Sequence, residues 1–187
     1  MEVSLLDPPV LTELSVSQCR ASNHRKHAFW VVLDEVQDPQ NLGAIIRTCA
    51  FFGVDGVVTT ENRSAPLNAT VSKASAGALE FAPVFHPGNL SAFLEGSKAN
   101  GWRIVGTSLD EDAKPQIDSQ LLHMDAPTIL VLGNESKGLR EKVKRTCDCH
   151  VKLAAVGNAE AVSSLNVSVA AALLIYPLAT QASNRML

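Results

Sequence analysis

Residues 28–60 read AFWVVLDEVQDPQNLGAIIRTCAFFGVDGVVTT, and their pattern decides the fold class. Phe29–Leu33 is a continuous apolar run of strand length, as expected of a strand buried on both faces. Leu42, Ile45, Ile46 and Cys49 then recur at helical spacing, so 41–52 reads as a helix. Asp38 is placed to cap that helix, Pro39 suits its first turn, and Gly53 is a natural stop. Val54–Thr60 returns to a strand pattern. A strand, a helix and a second strand in this order make a crossover unit of a mostly parallel sheet.

The alternation continues outward. Helices are expected at 69–78, at 90–100 (closed by Gly101) and at 138–145, with strands at 102–107, 128–132 and 149–153. Asp110–Asp125 is polar and irregular, a surface excursion. Ser164–Leu178 reads as a long apolar helix that stops near Pro177. Before Phe29, residues 1–27 show no sustained period and carry Pro8-Pro9 and the basic cluster His24-Arg25-Lys26-His27. They read as a solvated linker, with a phosphate-binding arm as the alternative. Because Met1-Glu2-Val3-Ser4 runs straight into this linker, the chain is expected to be the downstream part of a longer protein. The class is α/β, a mostly parallel sheet flanked by helices, with one folded domain over 28–187.

Composition sets bounds on function. The 187 residues are 46% hydrophobic and 19% charged, with a net charge of −3, which fits one globular domain and not a disordered chain. That charge excludes a uniformly basic nucleic-acid coat protein, although a local basic patch can still contact phosphates. The longest apolar run, Val167–Ala182, is short of the ~18–20 residues of a membrane span. Four cysteines at this length do not make a disulfide scaffold. Cys147, Cys149 and His150 lack zinc spacing and a second half-site, so they read as buried thiols on a strand and no metal is expected.

Three loops stand at the C-terminal ends of expected strands, where open α/β sheets bind ligands. In the first, Gly43 and Arg47 are four apart on one helical face. The glycine admits a close backbone or ligand; the arginine is either a surface ion-pair partner or a guanidinium aimed at that ligand. In the second, Gly133 and Gly138 have phosphate-loop spacing, but Leu139-Arg140 replaces the required Lys-[Ser/Thr], which excludes a nucleotide hydrolase of that type. What remains is a glycine-flanked turn able to hold a small molecule through backbone groups. In the third, Ser164 can cap the long helix, and Asn166 is an odd amide in an apolar helix that needs partners if buried.

Together, N-x-G-x-x-x-R at Asn41, Gly43 and Arg47, L-G-N-E-x-x-G-L over Leu132–Leu139, and S-L-N-V-S over Ser164–Ser168 resemble the motif set of the SpoU/TrmH family. This is the SPOUT class of RNA ribose 2′-O-methyltransferases. The likeness is closest to the branch that modifies a guanosine of large-subunit ribosomal RNA in bacteria and mitochondria. It implies a C-terminal deep trefoil knot, an exception to unthreaded topology, a homodimer through that region and its helix, and S-adenosylmethionine as cofactor. It places Thr107, Gly133, Gly138, Leu153 and Leu165 in the cofactor pocket and Asn41, Arg47, Glu135, Ser164 and Asn166 on the catalytic face. Arg47 would activate the ribose 2′-oxygen, by its charge or as a base.

The resemblance also makes residues 1–27 the hinge after an absent RNA-binding domain, and implies a mitochondrion, another organelle or a bacterial cytoplasm. One departure is visible: the usual Ile-Pro is here Leu153-Ala154, and the 157–163 stretch is longer, which would loosen the cofactor loop. The alternatives are a tRNA guanosine methyltransferase and an RNA-binding or ribosome-assembly module that kept the fold and lost turnover.

Overall fold

The computed structural model describes residues 7–16, 26–108, 114–115, 125–134, 136–153 and 164–182. Its elements in chain order are β1 (Val10–Leu11), β2 (Phe29–Leu33), α1 (Pro39–Phe51), β3 (Gly56–Thr59) and α2 (Ala69–Ala74). A short 3-10 turn (Ala78–Glu80) leads to β4 (Val84–Pro87), α3 (Leu90–Ala99), β5 (Arg103–Thr107) and β6 (Lys114–Pro115). The chain closes with β7 (Thr128–Leu132), α4 (Glu141–Thr146), β8 (Cys149–Lys152) and α5 (Val167–Ala182). The strands form one eight-stranded sheet in the order β1-β4-β3-β2-β7-β5-β8-β6, and every pairing is parallel.

β2 and β7 are central, and all ten of their residues are buried. Their side chains alternate between faces, which divides the core in two. Phe29, Val31, Leu33, Leu130 and Leu132 pack with α1 and α5 on one face. Trp30, Val32, Ile129 and Val131 pack with α3 and α4 on the other. β2 and β7 stay paired to their last residues, with the Asp34 N–H donating to the Leu132 carbonyl at 2.8 Å, and from there α1 leaves on one face and α4 on the opposite face. That divergence makes the switch-point crevice where parallel sheets take ligands.

Several sequence expectations change. The described part of the lead-in, residues 7–16, does not run free: Val10–Leu11 pairs with β4, Leu14 is buried, and its N–H donates to Ser97 Oγ at 3.0 Å. A two-residue strand is too short to show a period. β4 escaped notice for a similar reason, four residues ending in proline. Pro177 lies inside α5 and does not end it. Leu174, Ile175, Leu178 and Ala179 stay buried on both sides of the proline. Each large one stabilises by about 1.5–3 kcal/mol, enough to offset one missing helical hydrogen bond. Most of the 110–125 excursion, Cys19 and the 154–163 stretch lie outside the described residues; within the excursion, β6 pairs with β8. No helix among the described residues is long and apolar enough to cross a membrane.

Candidate functional site

The loop after β2 starts the site. Asp38 Oδ1 accepts from the Gln40 N–H at 2.8 Å and caps α1, with Pro39 next, which fixes where the helix begins. Asn41 is thereby buried at the first turn, and Arg47 projects into solvent farther along. The Arg47 side chain makes no ion pair or hydrogen bond with the described residues. Gly43 does not share its exposed face: it is buried against α2, where a Cβ would lie 2.5 Å from Ala74 Cβ and 2.8 Å from the Val71 carbonyl. The close neighbour that requires this glycine is a helix of the same chain.

The loop after β7 folds back on itself. Asn134 and Gly138 exchange backbone hydrogen bonds at 3.0 and 2.9 Å, and Gly138 takes φ +66°, a left-handed conformation that favours glycine. A Cβ on Gly133 would sit 2.4 Å from the Gly138 carbonyl carbon and 2.5 Å from the Leu139 nitrogen. Gly133 is therefore demanded by its own loop, whatever else it touches. Asn134 Oδ1 accepts from the Ser136 and Lys137 N–H groups at 3.0 and 3.1 Å, and its Nδ2 donates to the Glu35 carbonyl at 3.0 Å. Glu135, expected on the catalytic face, lies outside the described residues.

The two loops are locked together by residues that the motifs did not single out. The Asp34 carboxylate, with 0% side-chain exposure, accepts from Arg140 Nε at 2.8 Å and backbone N–H at 3.2 Å, with Arg140 Nη2 at 2.6 Å. Arg140 belongs to a basic run in the sequence (Lys137, Arg140, Lys142, Lys144, Arg145) that reads equally as local phosphate contacts or as a solvated helix face; the structure commits much of Arg140 to Asp34. Glu35, at φ +66°, completes the junction. Its N–H donates to Thr60 Oγ1 at 3.2 Å, and its Oε1 meets Arg63 Nη1 at 2.7 Å and Arg140 Nε at 3.4 Å. A non-glycine residue in this conformation costs about 1–3 kcal/mol and persists only where its surroundings hold it.

The third motif reaches the first through one bond. Asn166 Nδ2 donates to Asn41 Oδ1 at 3.0 Å, joining residues 125 apart in sequence. Asn166 is exposed, not buried in an apolar helix, and it caps α5 in place of Ser164: its Oδ1 accepts from the Ser168 N–H at 2.8 Å and hydroxyl at 2.6 Å. Ser164 and Leu165 lie just before the helix and are exposed. Thr107 ends β5, with its hydroxyl donating to the Val131 carbonyl at 3.2 Å, and half-buried Leu153 follows β8. Thr107, Gly133 and Leu153 thus stand at the ends of three adjacent strands.

Cys49 and Cys147 are far from nucleophilic. Cys49 is fully buried, and burial pushes its thiol far up. Burial, with Cys149 and Asp148 adding to it, pushes Cys147 up to about 12. No group of three or more metal-ligating side chains gathers among the described residues.

Comparison with known proteins adds the following. The SpoU rRNA Methylase family model matches residues 28–176. The mitochondrial rRNA methyltransferase 1 of Dictyostelium discoideum is 44% identical over 158 residues, 83% of this chain and 29% of that protein. The human mitochondrial rRNA methyltransferase 1 is 36% identical over 97% of this chain and 53% of its own length. A TrmH-family RNA methyltransferase structure from Porphyromonas gingivalis superposes with a TM-score of 0.73 at 31% identity, covering 81% of this chain and 59% of that one. The SpoU methyltransferase AviRb from Streptomyces viridochromogenes, solved with the cofactor AdoMet, superposes with a TM-score of 0.69 at 28% identity, covering 84% of this chain and 58% of that one. The chain therefore spans between about a third and three-fifths of the length of these relatives. With its parallel sheet, its three motif loops at one edge and this match over most of its length, the chain belongs to the SpoU rRNA methylase family.

Proposed function

We propose that this chain transfers a methyl group from S-adenosylmethionine to a ribose 2′-hydroxyl of RNA, with a guanosine of large-subunit ribosomal RNA as target. The observation that carries the reading is the Asn41–Asn166 hydrogen bond, which draws the first and third motifs together. The mitochondrial relatives favour an organellar ribosome as the setting. The tRNA-guanosine alternative shares all of these catalytic residues, so the choice of target falls to surfaces away from them.

The residues present fit the cofactor. Thr107, Gly133 and Leu153 end three neighbouring strands with small or apolar side chains, a surface suited to an adenosyl group held by backbone contacts. Gly138 shapes the turn above them, and Leu165 is exposed beside Asn166 for apolar contact. When bound, S-adenosylmethionine supplies an electrophilic methyl group on a sulfonium. The task left to the protein is the nucleophile. The Arg47 guanidinium, with its donors available, stabilises negative charge growing on the 2′-oxygen while the hydroxyl proton passes to water, or takes that proton itself as a base, and the sulfur–methyl bond would break as the oxygen–methyl bond forms. Asn41, fixed by Asn166, orients the nucleotide, and Glu135 and Ser164 complete the face. Alignment of oxygen, methyl carbon and sulfur provides much of the remaining acceleration.

The same reading includes a homodimer and the knotted C-terminal region of the family. Val169, Leu173 and Tyr176 are all about half exposed and form one stripe at helical spacing along α5. The Phe52 ring sits 5.5 Å from Tyr176 and 5.1 Å from Phe51, so exposed Phe51 extends the patch onto α1. Arg47 is four residues before Phe51, at the border of this face. A second copy covering the stripe would close the active site from the side.

The test is methyl transfer with labelled cofactor and ribosomal RNA, followed by digestion to nucleosides. A ribose-methylated guanosine is expected. Label on a base, with none on ribose, would refute the assignment.

A further inference from the structure

A polar cleft of about 360 Å³ opens at the ends of β3 and β4, and the reaction described above does not use it. Its walls include Asn62, Arg63, Asn89, Arg140 and Lys142, with Glu61 as the carboxylate on the lining. Hydrogen-bond accounting shows what it would take. Glu35 Oε1 holds Arg63 Nη1 at 2.7 Å and Arg140 Nε at 3.4 Å, so one oxygen keeps two guanidinium groups side by side. Arg140 Nη1 and Arg63 Nε and Nη2 have no acceptor among the described residues. Lys142 is exposed and has no ion pair among them. Asn89 Oδ1 is occupied by the Ala92 N–H at 3.2 Å, which leaves its amide nitrogen to donate.

Asp34 and Glu35 formally balance the two arginines and Glu61 balances Lys142, so the cleft is selective through the geometry of its donors and not through net charge. Its donors are unmatched while several of its acceptors are taken. That is complementary to a group rich in acceptors, and a guanidinium pre-oriented by a carboxylate behind it is well suited to phosphate. The sheet order supplies the context. Cofactor residues stand at the ends of β7, β5 and β8, the catalytic loops follow β2 and β7, and the cleft lies on the opposite flank at β3 and β4. The cleft opens at the same C-terminal end of the sheet as the catalytic loops, so an RNA strand crossing that end can lay backbone over it.

We propose that the cleft binds a backbone phosphate of the RNA next to the target nucleotide, with Arg63 and Lys142 as direct ligands and Arg140 as the fixed floor. This rests on the RNA reading given above. The experiment measures anisotropy of a labelled mixed-sequence oligoribonucleotide of about 20 nucleotides with the full chain, from about 50 to about 200 mM KCl. It compares wild type, Arg63→Ala, Lys142→Ala and the off-cleft control Arg145→Ala, which removes the same formal charge. Each cleft variant is expected to bind several-fold more weakly and to lower the salt slope by about 0.7 per lost phosphate contact. Arg145→Ala is expected to stay near wild type, and cofactor affinity to be unchanged throughout. Wild-type affinity and slope in both cleft variants, or an equal loss in Arg145→Ala, overturns the cleft. Failure of the wild type to bind RNA at all overturns the reading on which it rests.

Discussion

Leucine at Asp34, at Arg140 and at both positions together measures what joins the two central loops. The Asp34 side chain has no exposure and takes three contacts from Arg140, at 2.6, 2.8 and 3.2 Å. Breaking a fully buried ion pair by removing one partner costs about 3–5 kcal/mol, because the other charge stays buried without compensation. The Arg140 side chain is 34% exposed, so water relieves part of this, and about 2–3 kcal/mol is expected for Arg140→Leu. Asp34→Leu should cost about 2 kcal/mol, since Glu35 and water remain available to the arginine. The double variant leaves no orphaned charge. Its cost should fall short of the sum by about 1.5–3 kcal/mol. Urea unfolding reads all four stabilities, and thermal midpoints should follow at about 2–4 °C per kcal/mol. Additive single costs, with a coupling below about 0.5 kcal/mol, would refute the claim that this pair locks the loops.

Gly43→Ala gains helix propensity, worth about 1 kcal/mol, but its Cβ would meet Ala74 and α2 backbone below 3 Å. A net loss of about 1–2 kcal/mol is expected in denaturant titration, and a stabilised protein would contradict the packing. Arg47→Ala should lower the methyl-transfer rate by about 100–1,000-fold, as loss of a charge-stabilising donor does, with stability unchanged because the side chain is exposed. Val169→Glu with Tyr176→Glu should convert a dimer to a monomer in light scattering; an unchanged mass would leave the α5 stripe without a mate. The Cys147 thiol, pushed up to about 12 by burial, should react slowly with Ellman's reagent at pH 8 until the chain unfolds. The ordinary value is 9.0, so the unfolded thiol ionises first. Its contribution to stability is whole below about pH 9 and is lost as pH rises toward 12.

What could be read in the sequence was what is local or long enough to repeat. β2 and β7 were legible to the residue because a strand buried on both faces is apolar without interruption. α1 was legible because Asp38, Pro39 and the 42–45–46–49 stripe agree. The contacts that make the site were not local. Asp34 and Arg140 are 106 residues apart, and nothing near either marks it as a partner. Gly43 was legible as a place of close approach, but not that α2 is what approaches; Gly133 was legible as one end of a glycine-flanked turn, but not that its own loop demands it. Asn166 looked like a buried amide because the apolar helix was started too early. With the helix beginning at Val167, it is a cap that also reaches Asn41.

The central claim is that the edge formed by β7, β5 and β8 holds S-adenosylmethionine while the α1 face does the chemistry. Calorimetric titration of the folded chain with that cofactor, repeated for Arg47→Ala and Gly133→Val, tests it most directly. The account predicts binding that survives Arg47→Ala and is lost in a folded Gly133→Val. A folded wild type that takes up no cofactor, or binding that disappears with Arg47 and persists without Gly133, would contradict it.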